Sequence, residues 1–240
     1  MAKTNSESGF AVILGNFDTA ITRVSGIGAR FSPNRADLKV DALKEYYTRC
    51  SEAHGAVKDA TEAYQNATAA RTAAFDGLPK LATRVVSAFF DSDASEADRQ
   101  QVQAIKRRID GKPAAAPAAP AATGEEAEAQ HSTSQRSFIR LADHLDGIIR
   151  ACKAARSYNP ADADLAIPAL EAFHTQLLAT NTAVDTSFAA RREARKQRSR
   201  LFYDEATGIP ALAKRLRGHL KSRGDEQKDL LKGLRFPSRG

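Results

Sequence analysis

The sequence predicts an all-α fold: an antiparallel helical bundle built from two tandem copies of a short helix–long helix–short helix unit, related by an approximate twofold. Three observations lead there. Apolar residues recur in steps of three and four, the two halves of the chain resemble each other, and no run alternates β-branched with polar residues as a strand would.

The resemblance between halves is the most informative of these. Phe31-Ser32-Pro33-Asn34, continuing to Asp37-Leu38-Lys39-Val40, returns as Tyr158-Asn159-Pro160-Ala161, continuing to Asp164-Leu165-Ala166-Ile167. Upstream, Phe10, Ile13, Phe17, Asp18 and Ile21 correspond to Phe138, Leu141, Leu145, Asp146 and Ile149. Downstream, Leu43, Tyr46, Cys50 and Val57 correspond to Leu170, Phe173, Leu177 and Val184, and Gly77-Leu78-Pro79 to Gly208-Ile209-Pro210. Ordered anchors over so long a stretch point to a tandem duplication. We therefore divide the chain into copy one (1–110), a linker (111–135) and copy two (136–240). The linker opens on Pro113, Pro117 and Pro120 set among alanines and continues through Glu125, Glu126 and Glu128. Such a stretch neither joins a helix nor supplies a core, and reads as a disordered spacer.

Each copy starts with an amphipathic helix. Phe10, Ile13, Phe17, Ala20, Val24 and Ile27 lie on one face, as do Phe138, Leu141, Leu145, Ile148, Cys152 and Ala155. A proline turn follows, then a long helix with apolar residues seven apart: Leu43, Cys50, Val57 and Tyr64, and Leu170, Leu177 and Val184. No proline interrupts either stretch, so each helix is expected to run about 35 residues, roughly 50 Å. Sustained sevens imply near-parallel or antiparallel packing, as in a coiled coil. The fourth member of the second series is Arg191, which suggests that the seam frays there. Gly77 and Gly208 read as helix stops, each followed by a third helix, and short fourth helices are expected over about Glu96–Ile109 and Asp225–Leu234. The two copies are expected to form one bundle within the chain; the rival arrangement keeps the two halves apart or pairs each with a second chain as a swapped dimer.

Composition narrows the class. With 240 residues and 42% apolar side chains the chain can bury a core, which argues against disorder throughout. No apolar run approaches the roughly 18 residues of a membrane span. Two isolated cysteines, Cys50 and Cys152, read as buried thiols in preference to a bridge, and the first residues lack the apolar core of a secretory signal. A bacterial cytoplasmic protein is expected.

Catalytic motifs are missing from the sequence: there is no His-Glu-x-x-His, Cys-x-x-Cys, Gly-x-Ser-x-Gly or phosphate-binding glycine loop, and neither catalytic nor metal-ligating residues nor a cofactor are expected. His54, His131, His144, His174 and His219 are scattered and read as exposed or hydrogen-bonded side chains. Asp18 and Asp146 hold equivalent positions and could meet as paired carboxylates across a twofold, although a solvated or salt-bridged face is the simpler reading.

Charge is the one feature that points to a ligand. Copy one carries 15 basic and 14 acidic residues, the linker one and three, and the rest 20 and 12, so the overall +7 is concentrated in copy two. Arg191, Arg192, Arg195, Lys196, Arg198 and Arg200 crowd the end of the long helix, and Lys214, Arg215, Arg217 and Lys221 follow on the next. A helix end this basic can neutralise phosphates without reading sequence. These ten residues are the candidate anion contacts. The alternative is a solvated helix end with Glu193, Asp204 and Glu205 as local partners.

The Tyr or Phe-x-Pro turn at Phe31 and Tyr158, the Asp-Leu pairs at Asp37 and Asp164, the Gly-Leu/Ile-Pro stops and the final Leu234-Arg235-Phe236-Pro237 resemble those of uncharacterised bacterial tandem-helix proteins. That resemblance implies an all-α fold and no particular activity. The expected role is a non-enzymatic helical scaffold that binds a protein partner or itself. The alternative is a sequence-nonspecific nucleic-acid-binding protein acting through the Arg-rich end of copy two, with an anionic membrane surface a lesser possibility.

Overall fold

The computed structural model describes residues 7–112, 137–155, 157–224, 227 and 229–237. From residue 113 onward the expected linker lies outside them, as do His131, Asp225, Glu226 and Lys228. The described residues are helical and contain no strand: α1 (Glu7–Ser25), α2 (Val40–Asp76), α3 (Leu78–Phe90), α4 (Glu96–Ile109), α5 (Phe138–Ala154), α6 (Ile167–Tyr203) and α7 (Ile209–Ser222). Single 3-10 turns at Gly28–Arg30, Ala36–Leu38 and Ala163–Leu165 connect them. None of these helices is long and apolar enough to cross a membrane.

Local chemistry sets the ends. Ser95 and Ser137 accept hydrogen bonds from the backbone N–H groups of Asp98 and Arg140, capping α4 and α5. Pro79, Pro168 and Pro210 stand in the first turns of α3, α6 and α7, where a missing N–H costs nothing. Both long helices run 37 residues.

The chain packs into two compact units, one joining the two ends of the sequence and the other its continuous middle. The first comprises 1–64 and 187–240; the second comprises 65–186. The core of the first joins Phe10, Ile13, Phe17, Ile21 and Val24 of α1 to Leu43 and Cys50 of α2, Phe202 of α6 and Leu212, Leu216 and Leu220 of α7. Here α2 and α6 run antiparallel: the Tyr46 hydroxyl donates to the Leu201 carbonyl at 2.6 Å, His54 faces Arg198, and the Tyr64 and Phe188 rings lie 5.9 Å apart. The core of the second unit joins Phe75 of α2, Leu78, Val85 and Phe89 of α3, Val102 and Ile109 of α4, Leu145 and Ile148 of α5, and Leu170 and Leu177 of α6. The heptad residues Leu43, Cys50, Val57, Leu170, Leu177 and Val184 are all buried.

Three expectations need correction. The seam does not fray at Arg191, which is half-buried with its guanidinium 4.0 Å from the centre of the Tyr64 ring, so a cation–π contact continues the packing. Residues 229–233 form turns instead of a helix. Leu231 is buried there against the first core, while Arg23 donates to the Leu230 carbonyl and Asn16 to that of Arg235. The two glycine stops are also physically different. Gly77 has φ −74°, an ordinary helical value, with open space where a Cβ would stand. At Gly208 a Cβ would lie 2.5 Å from the Asp204 carbonyl oxygen and 2.8 Å from that of Phe202, so only glycine fits the reversal from α6 into α7.

Gly77→Ala should therefore be neutral or stabilise by about 0.4–1 kcal/mol, whereas Gly208→Ala should lower the melting temperature, because the clash is with backbone that cannot rotate away. Equal effects in thermal melts would contradict the assignment. Cys50 and Cys152 are free and buried, and burial pushes their thiols up to about 12 and about 11. Since the thiolate is the reactive form, a thiol reagent at pH 8 should label both only as fast as the chain unfolds; labelling within the mixing time would refute their placement.

Candidate anion-binding surface

The first unit collects the positive charge. By sequence it holds 23 basic and 14 acidic residues, a net +9, whereas the second holds 13 and 15, a net −2. Of the ten candidate anion contacts, all in the first unit, seven are exposed: Arg192, Arg195, Lys196 and Arg200 on α6, and Lys214, Arg217 and Lys221 on α7. Lys196 lies 3.9 Å from Glu193 in an exposed pair, a contact of the kind that contributes little. Asp204 is engaged elsewhere: its Oδ1 accepts from the N–H groups of Ala206 and Thr207, and the Thr207 bond leads in holding its carboxyl below the usual range. Arg217 donates to the Leu234 carbonyl at 2.6 Å, which ties α7 to the C-terminal turns.

Arg191, Arg198 and Arg215 are drawn inward. Arg198 is expected among the anion contacts, but it is 3% exposed. Its guanidinium lies 3.7 Å from the centre of the Phe10 ring, and Nη1 is 3.3 Å from His54 Nδ1. A guanidinium can only donate, so in this contact His54 Nδ1 is the acceptor. Arg198 is therefore a core residue and leaves the exposed set. The ring stacking recurs in the second unit, where the half-buried Arg71 lies 4.3 Å from the Phe138 ring centre and Asn181 donates to the Phe138 carbonyl.

Arg215 belongs to a network that sequence reasoning passed over. Asp37 accepts from Arg35 through both oxygens, at 2.9 and 3.0 Å, and pairs with Arg215 at 3.0 Å. The hydrogen bonds from Arg35 are the main reason its carboxyl is held below the ordinary range. Nearby, Arg223 donates to the carbonyl and hydroxyl oxygens of Ser32, at 2.9 and 2.7 Å. His219 sits edge-on to Phe31, and burial, reinforced by Arg223, lowers its basicity. Arg35 stands 180 residues before Arg215, so only its placement two residues before Asp37 could have drawn notice. In the second unit Arg84 binds two carboxylates, Asp164 at 2.5 Å and Asp162 at 2.9 Å. One cation there faces two anions, the reverse of the balance around Asp37.

Other candidates do not assemble. Asp18 is exposed on α1 in the first unit; Asp146 lies on α5 in the second and pairs with Arg150 at 2.6 Å. His54 and His144 are buried and His174 is half-buried. No group of three or more His, Cys, Asp or Glu able to hold a metal occurs among the described residues.

Two outcomes follow for the first unit. Arg198→Ala and Arg198→Lys should both destabilise the protein, the former by about 1–3 kcal/mol, because an ammonium does not stack as a planar guanidinium does. The exposed Arg192→Ala should stay within about 0.5 kcal/mol of wild type, and equal melting curves for Arg198→Ala and Arg192→Ala would refute the burial. Because the folded-state pKa of Asp37 is depressed, its contribution is present above the unfolded value near 3.9 and is lost as pH falls through the folded value. In acid titrations followed by circular dichroism, Asp37→Asn should be less stable than wild type at pH 6 and converge with it as the pH falls through the folded value.

The chain matches no protein-family model, no curated protein and no solved structure, so its own residues and their placement carry the functional reading.

Proposed function

We propose that the protein is a non-enzymatic helical scaffold of the bacterial cytoplasm that engages an acidic protein partner through its basic unit. The observation that carries this is the segregation of charge: +9 in one unit, with seven candidate cations exposed, against −2 in the other. A surface of that kind raises encounter rates with an acidic partner and discriminates by sign, and it needs no catalytic group. Buried free thiols suit a reducing compartment.

A second reading, nucleic-acid binding, is favoured by one specific observation: Arg192, Arg195, Lys196 and Arg200 crowd the exposed end of a single helix. Such a row can follow a phosphate backbone. Amine crosslinking in the native cell separates the two. The scaffold reading expects Lys214, Lys221 and Lys232 to crosslink to one recurrent acidic protein, with Lys80 and Lys153 at background. Salt-sensitive retention on DNA or RNA, abolished by Arg192, Arg195, Lys196 and Arg200→Ala together, would select the second reading; background everywhere would sink both.

We also infer that the two halves are duplicated copies arranged with approximate twofold symmetry. Equal long helices support this, as do paired contacts at equivalent positions: Arg198 on Phe10 with Arg71 on Phe138, Phe10 against Phe202 with Phe138 against Phe75, and Arg215 at Asp37 with Arg84 at Asp164. Tyr64 and Arg191, equivalent by sequence, touch each other, as residues on a twofold axis do. On this reading each unit combines one copy's first helix with the other copy's third. Fragments 1–110 and 136–240 should each be poorly helical alone and gain circular dichroism on mixing, and light scattering of the whole chain should give 25.9 kDa. Two fragments that each melt cooperatively at the parent temperature would contradict the exchange, and a mass twice as large would place it between chains.

A further inference from the structure

The first unit contains a cleft of about 580 Å³ between the Pro33–Leu38 turn and α7. Its polar lining includes Arg35, Arg215, His219 and Arg223, and its apolar lining includes Pro33 and Leu38. Among the described residues that line it there is no carboxylate; Asp37 bonds Arg35 and Arg215 together. Among the described residues, three guanidinium groups against one carboxylate leave a surplus of two positive charges. Each guanidinium keeps N–H donors beyond those it uses: Arg35 spends two on Asp37, Arg215 one on Asp37 and one on the Ala206 carbonyl, and Arg223 bonds Ser32 through Nη2 alone. Arg215 Nε is buried with no partner. The carboxylate therefore orients two forks without neutralising them.

We propose that this cleft binds a phosphomonoester dianion, with Arg35 and Arg215 gripping the phosphoryl oxygens, Arg223 closing the charge balance, and the organic remainder lying toward Pro33 and Leu38. Planar guanidinium forks match phosphoryl oxygens two at a time, and a surplus of two matches a dianion better than a monoanionic diester. The volume is that of a small-molecule pocket and far exceeds a bare ion. The second unit supplies an internal contrast, since Arg84 is saturated by Asp162 and Asp164. The site goes beyond the docking role and does not depend on it, because the exposed α6 cations take no part in it.

Isothermal titration at pH 7.5 and fixed low salt, with the whole protein, tests this using phenyl phosphate, dianionic above a second pKa near 6. Phenyl phosphate should bind at least tenfold more tightly than dimethyl phosphate or benzoate. Arg35→Gln should weaken it at least tenfold, with an unliganded melting temperature no lower than that of Asp37→Asn, which loses the Arg35 bonds and the Arg215 pair together; Arg84→Gln should bind as wild type does. Equal affinity for dimethyl phosphate or benzoate, unchanged binding by Arg35→Gln, or equal loss in Arg84→Gln would each overturn the proposal. Vesicles with and without phosphatidic acid separate the sources of the group: retention on them together with phenyl phosphate binding supports the same site with a lipid headgroup as ligand. Retention on vesicles without binding of phenyl phosphate would refute the cleft.

Discussion

Each core is closed by side chains from the opposite half of the sequence, and the rest of the structure depends on this. Phe10 begins the chain's first helix, yet the groups that cover it are Arg198, Phe202 and Tyr203. Phe138 begins the fifth, and Arg71 and Phe75 cover it. A phenylalanine left uncovered forfeits up to about 1.5–3 kcal/mol of burial, so neither first helix has reason to settle until the distant long helix is in place. The guanidinium is suited to this position: it stacks on the ring face, reaches a polar neighbour at its edge, and keeps its charge where a lysine would lose both contacts.

That arrangement also accounts for where the charge goes. The basic tail of the sequence does not form a separate arm. It becomes the end of α6 and all of α7, and these pack on α1 and the early turns of the chain. Cations from residue 191 onward therefore meet the turn at Ser32–Asp37, where Asp37 organises Arg35 and Arg215 and Ser32 receives Arg223. In the other unit the corresponding turn supplies Asp162 and Asp164, and the single arginine opposite is neutralised. An aspartate in place of Arg35 separates a balanced ion cluster from an anion-attracting one.

Much of the helical framework was legible because periodicity records burial directly. The seven-residue series ending at Val57 and Val184 is buried throughout, and the long helices exceed their expected length by only two residues. Arg191 and Arg198 were misread for one reason: a sequence pattern treats arginine as solvated, whereas stacking on Tyr64 and Phe10 makes part of it core. Gly77 and Gly208 look alike in sequence, and only the close approach of the Asp204 and Phe202 carbonyls separates them. The turns after residue 229 show the converse, since helix-like spacing can also be satisfied by a short irregular segment pressed on a core. The cleft was invisible to pattern reading because Arg35 and Arg215 become neighbours only through tertiary packing.

Vectorial synthesis makes a particular demand on such a chain. Helix α1 and the start of α2 leave the ribosome long before residues 187–237, which complete their unit. At about 5–20 residues per second, the apolar face of α1 waits on the order of 10 s for its cover. Most helical proteins satisfy their contacts locally and fold quickly; here the closing contacts span well over a hundred residues, as they do in slow-folding sheet proteins. During that interval Phe10, Ile13 and Phe17 present the kind of surface that chaperones hold, and a translational pause before residue 187 would lengthen the nascent chain's exposure to aggregation.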